Sequence, residues 1–182
     1  GNTSVTGLAT TLDGVIAPDD VTLTFGSVAF NSSIAGLGKL VNMTGATLIG
    51  TEATNYSLVS STITSTADIT QKQLTGNFTV ANKVYDGSNS ATVLTRTLTG
   101  VIAPDDVSLT GGTATFDNAN AGNGKTVTLV GATLTGTEAI NYSLSAVNTT
   151  TANITALGIV TGNFTVANKV YDGTNSATVL SR

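Results

Sequence analysis

Hydrophobic and polar residues alternate along this chain in short runs, separated by clusters of Gly, Asn, Asp and Ser about every 8–12 residues. No stretch sustains a helical apolar period. Over the middle of the chain the pattern predicts strands at Leu74–Tyr85 and Ala91–Leu98, with Phe78, Val80 and Val84 facing inward. Asp106–Thr110 and Thr113–Phe116 read as a hairpin around Gly111-Gly112, a dipeptide suited to a tight primed turn. A loop at Asn118–Gly124 precedes strands Lys125–Val130 and Ala132–Thr135, broken at Gly131. Tyr142–Ala146 and Thr149–Ile154 complete the set. Seven or so short antiparallel strands predict an all-β fold of two packed sheets, an immunoglobulin-like β-sandwich. A β-grasp-like sheet with one short helix is the alternative.

The pattern repeats. Gly76–Gly87 returns unchanged as Gly162–Gly173, an offset of 86 residues. At the same offset Gly14–Val21 returns as Gly100–Val107, Gly45–Leu48 as Gly131–Leu134, Gly50–Ala53 as Gly136–Ala139, and Asn55–Leu58 as Asn141–Leu144. The period exceeds the roughly 20–35 residues of ankyrin, leucine-rich or β-helix units, and each copy is long enough for a modest core of its own. Three segments follow: repeat 1 over 1–72, repeat 2 over 73–158, and 159–182 as the first strand of a third repeat. Repeat 1 starts at Gly1, which aligns with Gly87, so it lacks the strand that carries Phe78 and Tyr85. The last segment holds that strand with no domain of its own to join. It is expected to pair with a neighbouring chain or to continue a longer fibre, because a lone strand in water is not stable. The junctions, Thr70–Gln73 and Thr155–Gly158, contain neither a Gly/Ser coil nor a Pro-rich spacer, so the domains should follow one another as a fairly stiff rod.

Composition sharpens this picture. Only 10% of the residues are charged, and threonine supplies about a fifth of the chain. β-Branched Thr suits a half-solvated pleated surface. A net charge of −4 argues against nucleic acid and against an anionic membrane surface, and no apolar run is long enough to span a bilayer. The absence of Cys and His removes disulfides, thiol catalysis and imidazole chemistry together. No cofactor is implied.

Lys83-Val84-Tyr85-Asp86-Gly87 resembles the YDG-type repeats of very large secreted bacterial adhesins related to filamentous haemagglutinins. Ala121–Lys125 and Thr133–Leu144 are similar to the remainder of that pattern, with Ile140 where Gly is expected. The resemblance spans nearly the whole chain. It implies a tandem array acting as an extracellular stalk or adhesive segment on the bacterial surface, and it implies no catalytic residue.

Sharper chemistry has a few candidates. Asp19, Asp20, Asp105 and Asp106, in two Ala-Pro-Asp-Asp segments, could bring carboxylates to Ca²⁺, which needs six to eight oxygens. The other reading, which the sequence favours, is a β-turn with Pro at its second position. Lys39, Glu52 and Asn55, matched by Lys125, Glu138 and Asn141, form the set for an intramolecular isopeptide crosslink if buried together. The simpler reading is a solvated Lys and Glu with Asn ending a turn. Asn-x-Ser/Thr triplets at Asn2, Asn31, Asn42, Asn55, Asn77, Asn141, Asn148, Asn153 and Asn163 would permit glycosylation, although a chain this rich in Ser and Thr yields many by coincidence. Tyr56, Tyr85, Tyr142 and Tyr171 would serve a sugar platform if exposed; core packing with the hydroxyl bonded to backbone is the favoured expectation.

The sequence therefore predicts a non-enzymatic repeat segment whose partners are further copies of itself. An array of carbohydrate-binding modules, with host or matrix glycans as partners, is the alternative.

Overall fold

Why the repeated pattern makes strands is clearest in copy 2, where the alternation of side chains matches the alternation of burial. A computed structural model describes residues 10–159 and 161–181, and these residues are all-β apart from two single-turn 3₁₀ helices, Ala53–Asn55 and Ala139–Asn141. Copy 1 contributes β1 (Thr22–Thr24), β2 (Ser27–Phe30), β3 (Gly36–Thr44), β4 (Thr47–Ile49) and β5 (Ile63–Ile69). Copy 2 contributes β6 (Lys72–Val80), β7 (Lys83–Val84), β8 (Val93–Thr99), β9 (Ser108–Phe116), β10 (Gly122–Thr135), β11 (Tyr142–Val147) and β12 (Thr150–Thr155). A terminal pair, β13 (Thr165–Val166) and β14 (Val179–Ser181), closes the series.

In copy 2, β6 buries Leu74, Gly76 and Phe78 on one face, β9 buries Ala114 and Phe116, and β10 buries Val127 and Leu129. Ala152 and Ile154 of β12 complete this period-two core. Each large side chain removed from water contributes about 1.5–3 kcal/mol. Two sheets carry these faces, ordered β7-β12-β10-β9 and β11-β6-β8. In copy 1 the orders are β2-β3-β5 and β1-β4, and the buried apolar residues are Val41, Met43 and Ala46.

By contacts the chain divides into two compact units, Gly1–Asn77 with Arg96–Gly112 and Gly131–Asn148, and Phe78–Thr95 with Thr113–Val130 and Thr149–Arg182. Copies are defined by sequence and units by contacts, and the two divisions do not coincide. The first unit holds all the strands of copy 1 together with β11 and the start of β6. The second holds β7, β12 and the terminal pair.

Several details depart from the alternation pattern. Gly111-Gly112 does not reverse the chain: β9 runs straight through it, with φ of +67° and +81°. Gly131, at φ +79°, likewise bends β10 without ending it. Gly111 lies beside Gly131, a Cβ on it falling 3.8 Å from the Gly131 carbonyl oxygen, so both strands bend at neighbouring points. Positive φ serves a bend here, where the dipeptide by itself suggested a hairpin. In copy 1 the matching positions divide β1 from β2 and β3 from β4. Not all pairing is antiparallel either, since β6 runs parallel to β11 and β7 parallel to β12. The first strand of the copy is interrupted at Ala81-Asn82, which leaves Val80 half-buried and turns Val84 out to solvent.

The 86-residue offset also slips once. Lys39 faces Ala67 across β3 and β5, whereas Lys125 faces Ala152 across β10 and β12. The lysines are 86 apart and the alanines 85, so copy 1 carries one extra residue between Leu58 and β5. Copy 1 has no counterpart of β11 among the described residues. In copy 2 that strand pairs with β6, its one ladder among the described residues.

Candidate functional site

Two local arrangements recur with the repeat, and they hold most of the ionisable side chains. The first joins the Ala-Pro-Asp-Asp turn to the 3₁₀ helix that follows Glu138. In copy 2 the Asp105 amide donates to the Ile102 carbonyl at 2.9 Å, closing the turn. The Tyr142 hydroxyl accepts the Ile102 amide at 3.1 Å and donates to Asp105 Oδ2 at 2.6 Å. Glu138 Oε2 accepts the Asp106 amide at 2.9 Å and the Thr137 hydroxyl at 2.5 Å. The Asn141 amide donates to the Glu138 carbonyl at 2.9 Å, which forms the 3₁₀ turn and brings Tyr142 into place. Copy 1 builds the same latch from Ile16, Asp19, Asp20, Thr51, Glu52 and Tyr56, with the Tyr56 hydroxyl 2.8 Å from Asp19 Oδ2.

The latch sets its own titrations. The Asp105 carboxylate, taking the phenol's proton in a hydrogen bond, raises the Tyr142 pKa above the ordinary value, and burial adds to the rise. The Thr137 hydroxyl and then the Asp106 amide lower the Glu138 pKa, and Thr51 and Asp20 do the same for Glu52.

The second arrangement is the Tyr-Asp-Gly turn. Lys83 Nζ lies 2.7 Å from Asp86 Oδ1 and also donates to the Ser88 carbonyl and hydroxyl at 3.1 and 2.9 Å. Asp86 accepts the Ser88 amide at 2.8 Å, and Gly87 takes φ +81° to complete the reversal. Lys83 and then the Ser88 amide bring the Asp86 pKa down to about 2. In the terminal segment Lys169 and Asp172 repeat the pair at 2.8 Å, with Thr174 in place of Ser88.

Between the copies, within the first unit, two side chains tie the junction. The Ala35 amide donates to Asn141 Oδ1 at 2.9 Å, and Gln71 Nε2 donates to the Ile140 carbonyl at 2.9 Å. A hollow of about 440 Å³ lies there, lined by Ile34, Ile69, Ile102, Ile140 and Tyr142 among others.

Most sequence candidates are separated by this geometry. Asp19 and Asp105 are hydrogen-bonded to tyrosine, while Asp20 and Asp106 meet Glu52 and Glu138 through their amides. Among the described residues no group of three or more acidic side chains gathers as a metal site would require. The lysine, glutamate and asparagine of the crosslink set each have other partners in copy 2. Lys125 Nζ binds Asp117 at 2.8 Å and Asn118 at 2.7 Å, Glu138 sits in the latch, and Asn141 holds the Ala35 amide. In copy 1, Glu52 is again in the latch and the Asn55 amide closes the 3₁₀ turn, whereas Lys39 lies across from Ala67 on β3. The triplet asparagines are partly engaged as well: Asn148 donates to Asn77 at 2.9 Å, and Asn153 accepts the Gly124 amide at 2.7 Å. Asn2 lies outside the described residues. The tyrosines divide. Tyr142 is 4% exposed and Tyr56 half-buried, while Tyr85 and Tyr171 are 41% and 93% exposed.

The latch was missed by reasoning from sequence, although its signal was present. Gly-Thr-Glu-Ala and Asn-Tyr recur at the same offset as Ala-Pro-Asp-Asp, which shows that the three segments are kept together in the repeat without showing that they touch. Chemically the arrangement is turned inward, for the Asp19, Asp105, Glu52 and Glu138 carboxylates each accept a donor from their own copy.

The chain matches the YDG domain family over residues 1–65 and 70–152. No curated protein and no solved structure matches it.

Proposed function

Because this chain belongs to the YDG domain family, we propose that it is a non-enzymatic repeat segment of an extracellular bacterial adhesin or surface filament. It works as a stiff stalk or fibre-forming unit, each copy folded as an immunoglobulin-like sandwich and set in line with the next. The observation that carries this reading is the latch, built from the same residues in both copies with hydrogen bonds that agree within about 0.2 Å. Two residues, Thr70 and Gln71, separate β5 from β6, and the Asn141 and Gln71 side chains tie across that junction. So short and braced a connection favours a fixed angle between successive copies, which suits a spacer. Electron microscopy of arrays with increasing copy number tests this. Thin projections lengthening in equal steps are the expected result, and flexible coils of no fixed contour would refute it.

One observation favours the carbohydrate-binding alternative. Tyr85 is partly exposed beside Asn120, Ala121 and Leu157, around a shallow cleft. A glycan array decides between the two, since binding lost on Tyr85→Ala would put recognition ahead of spacing.

A further inference from the structure

Gly122 and Lys125 of β10 stand opposite Ile154 and Ala152 of β12. Between those pairs two residues, Asn123 and Gly124, meet the single residue Asn153, so the ladder carries a β-bulge. Gly124 holds φ +60°, a left-handed conformation that glycine takes without strain. Its amide donates to Asn153 Oδ1 at 2.7 Å, and the Asn153 amide in turn donates to Asn82 Oδ1 at 2.7 Å. Copy 1 builds the same bulge. There Leu37 and Gly38 meet Asp68, Gly38 holds φ +59°, and its amide donates to Asp68 Oδ1 at 2.8 Å. Both copies use glycine and a side-chain acceptor at this point. The residue before the glycine is exposed in each and differs between them, leucine in copy 1 and asparagine in copy 2.

That difference is chemical, because Asn123-Gly124 is the one Asn-Gly pair in the chain. In such a pair no side chain stands between the glycine nitrogen and the asparagine Cγ. We propose that Asn123 is a site of spontaneous deamidation and that Asn153 sets its rate. The Gly124 nitrogen gives up its proton to solvent base and bonds to Asn123 Cγ. The Cγ–Nδ2 bond breaks, and the side-chain nitrogen takes up a proton and leaves as ammonia. One water then opens the resulting succinimide at either carbonyl, which yields aspartate or isoaspartate. The net change is amide and water to carboxylic acid and ammonia, with nothing oxidised or reduced. Exposure of Asn123 gives water and base their access. Asn153 opposes the first step, since the Gly124 amide proton is held on Oδ1 and its nitrogen is kept from turning towards Asn123. It is a positioning residue, acting through the attacking nitrogen. Each event adds a negative charge to a chain of net charge −4, and the isoaspartate product lengthens the backbone of β10 at its bulge. The inference stands apart from the stalk reading and does not rest on it.

Ageing the full chain in warm, mildly alkaline buffer, with peptide mapping by mass spectrometry at intervals, is the test. Asn123 should convert ahead of Asn31, Asn89 and Asn175, each of which precedes serine. Asn153→Ala should speed conversion at Asn123 about 2–10-fold, the factor that one lost hydrogen bond gives, and leave the other three unchanged. Asn153→Asp, which supplies the acceptor that copy 1 uses, should keep the original rate. Hydrogen exchange at the Gly124 amide should quicken by the same factor in Asn153→Ala and stay slow in Asn153→Asp. Conversion at Asn123 no faster than at the three Asn-Ser sites overturns the inference. So do equal rates in Asn153→Ala and the unaltered chain. A variant that speeds all four asparagines together has loosened the fold as a whole, which equally refutes a specific hold by Asn153.

Discussion

Gly76–Gly87 and Gly162–Gly173 share every residue and differ in how far they are buried. The first supplies Gly76–Val80 of β6 and the whole of β7, with Gly76 and Phe78 buried; the second retains two strand residues at Thr165–Val166, both exposed. What survives in both is the turn, with lysine on aspartate at 2.7 and 2.8 Å and aspartate accepting the amide two residues on, together with a bond to the next strand, Ala81 to Thr92 at 3.0 Å and Ala167 to Thr178 at 2.9 Å. The turn is closed by residues two to five apart, so the local sequence suffices for it. Of the two neighbours of β6, β8 has its counterpart in β14, whereas β11 lies about 70 residues further along the chain and has no counterpart among the described residues of the terminal segment.

The difference can be broken or sharpened by substitution, in falling order of effect. Phe78→Ala should cost about 3–5 kcal/mol in urea unfolding, and Phe164→Ala in dilute solution should stay within about 0.5 kcal/mol. Equal costs at the two sites would mean that the terminal strand is also packed. Gly76→Val should cost about 1–3 kcal/mol, because even a Cβ there would lie 2.9 Å from Leu109 Cδ2 and 3.1 Å from Val147 Cγ2. At Gly162 a Cβ meets nothing within 4 Å, and a neutral thermal midpoint is expected. Tyr142→Phe removes a hydroxyl that bridges the Ile102 amide and Asp105, and should lower unfolding free energy by about 1–2 kcal/mol; Tyr171→Phe should change nothing measurable.

The smallest effect tests what the two segments share. Asp86 has a folded pKa of about 2, below its unfolded value, and Asp172 shifts in the same direction, with its lysine partner the first cause. A depressed pKa means that the ionised form is held by the fold. The stabilisation is therefore full above about pH 4 and fades as acid titrates the group towards about pH 2. Carboxyl NMR titration should show both aspartates below the usual range. An ordinary pKa at Asp172 would show that its turn depends on tertiary support.

Much of the architecture was legible in the chain because it is written in local alternation. Strand positions near Lys125, Tyr142 and Thr150 follow from period-two patterning. A turn at Ala-Pro-Asp-Asp follows too, but it runs from Ile102 to Asp105 and from Ile16 to Asp19, so the proline stands third in it and not second as the sequence suggested. What was not legible depends on partners. Gly111-Gly112 has the chemistry of a hairpin, and its role as a bend is decided by Gly131 on the next strand. Val84 has the spacing of a core residue, and the interruption at Ala81-Asn82 moves it outward. The parallel ladders of β6 and β7 join segments about 70 residues apart, a separation that alternation does not encode. The latch lay between these cases, visible as three co-recurring motifs but without any rule saying that they touch.

The parallel pairing of β7 with β12 has a mechanical consequence. These strands belong to the first and last segments of copy 2, and they are joined by Tyr85 to Thr155 at 2.8 Å and by Asn82 to Asn153 at 2.7 Å. When tension pulls the chain from its two ends, parallel neighbours slide past each other, so these links are loaded in shear and must yield together. An antiparallel pair at the same place would be peeled open one hydrogen bond at a time. Resistance to stretching then comes from strand direction alone, with no disulfide in the chain.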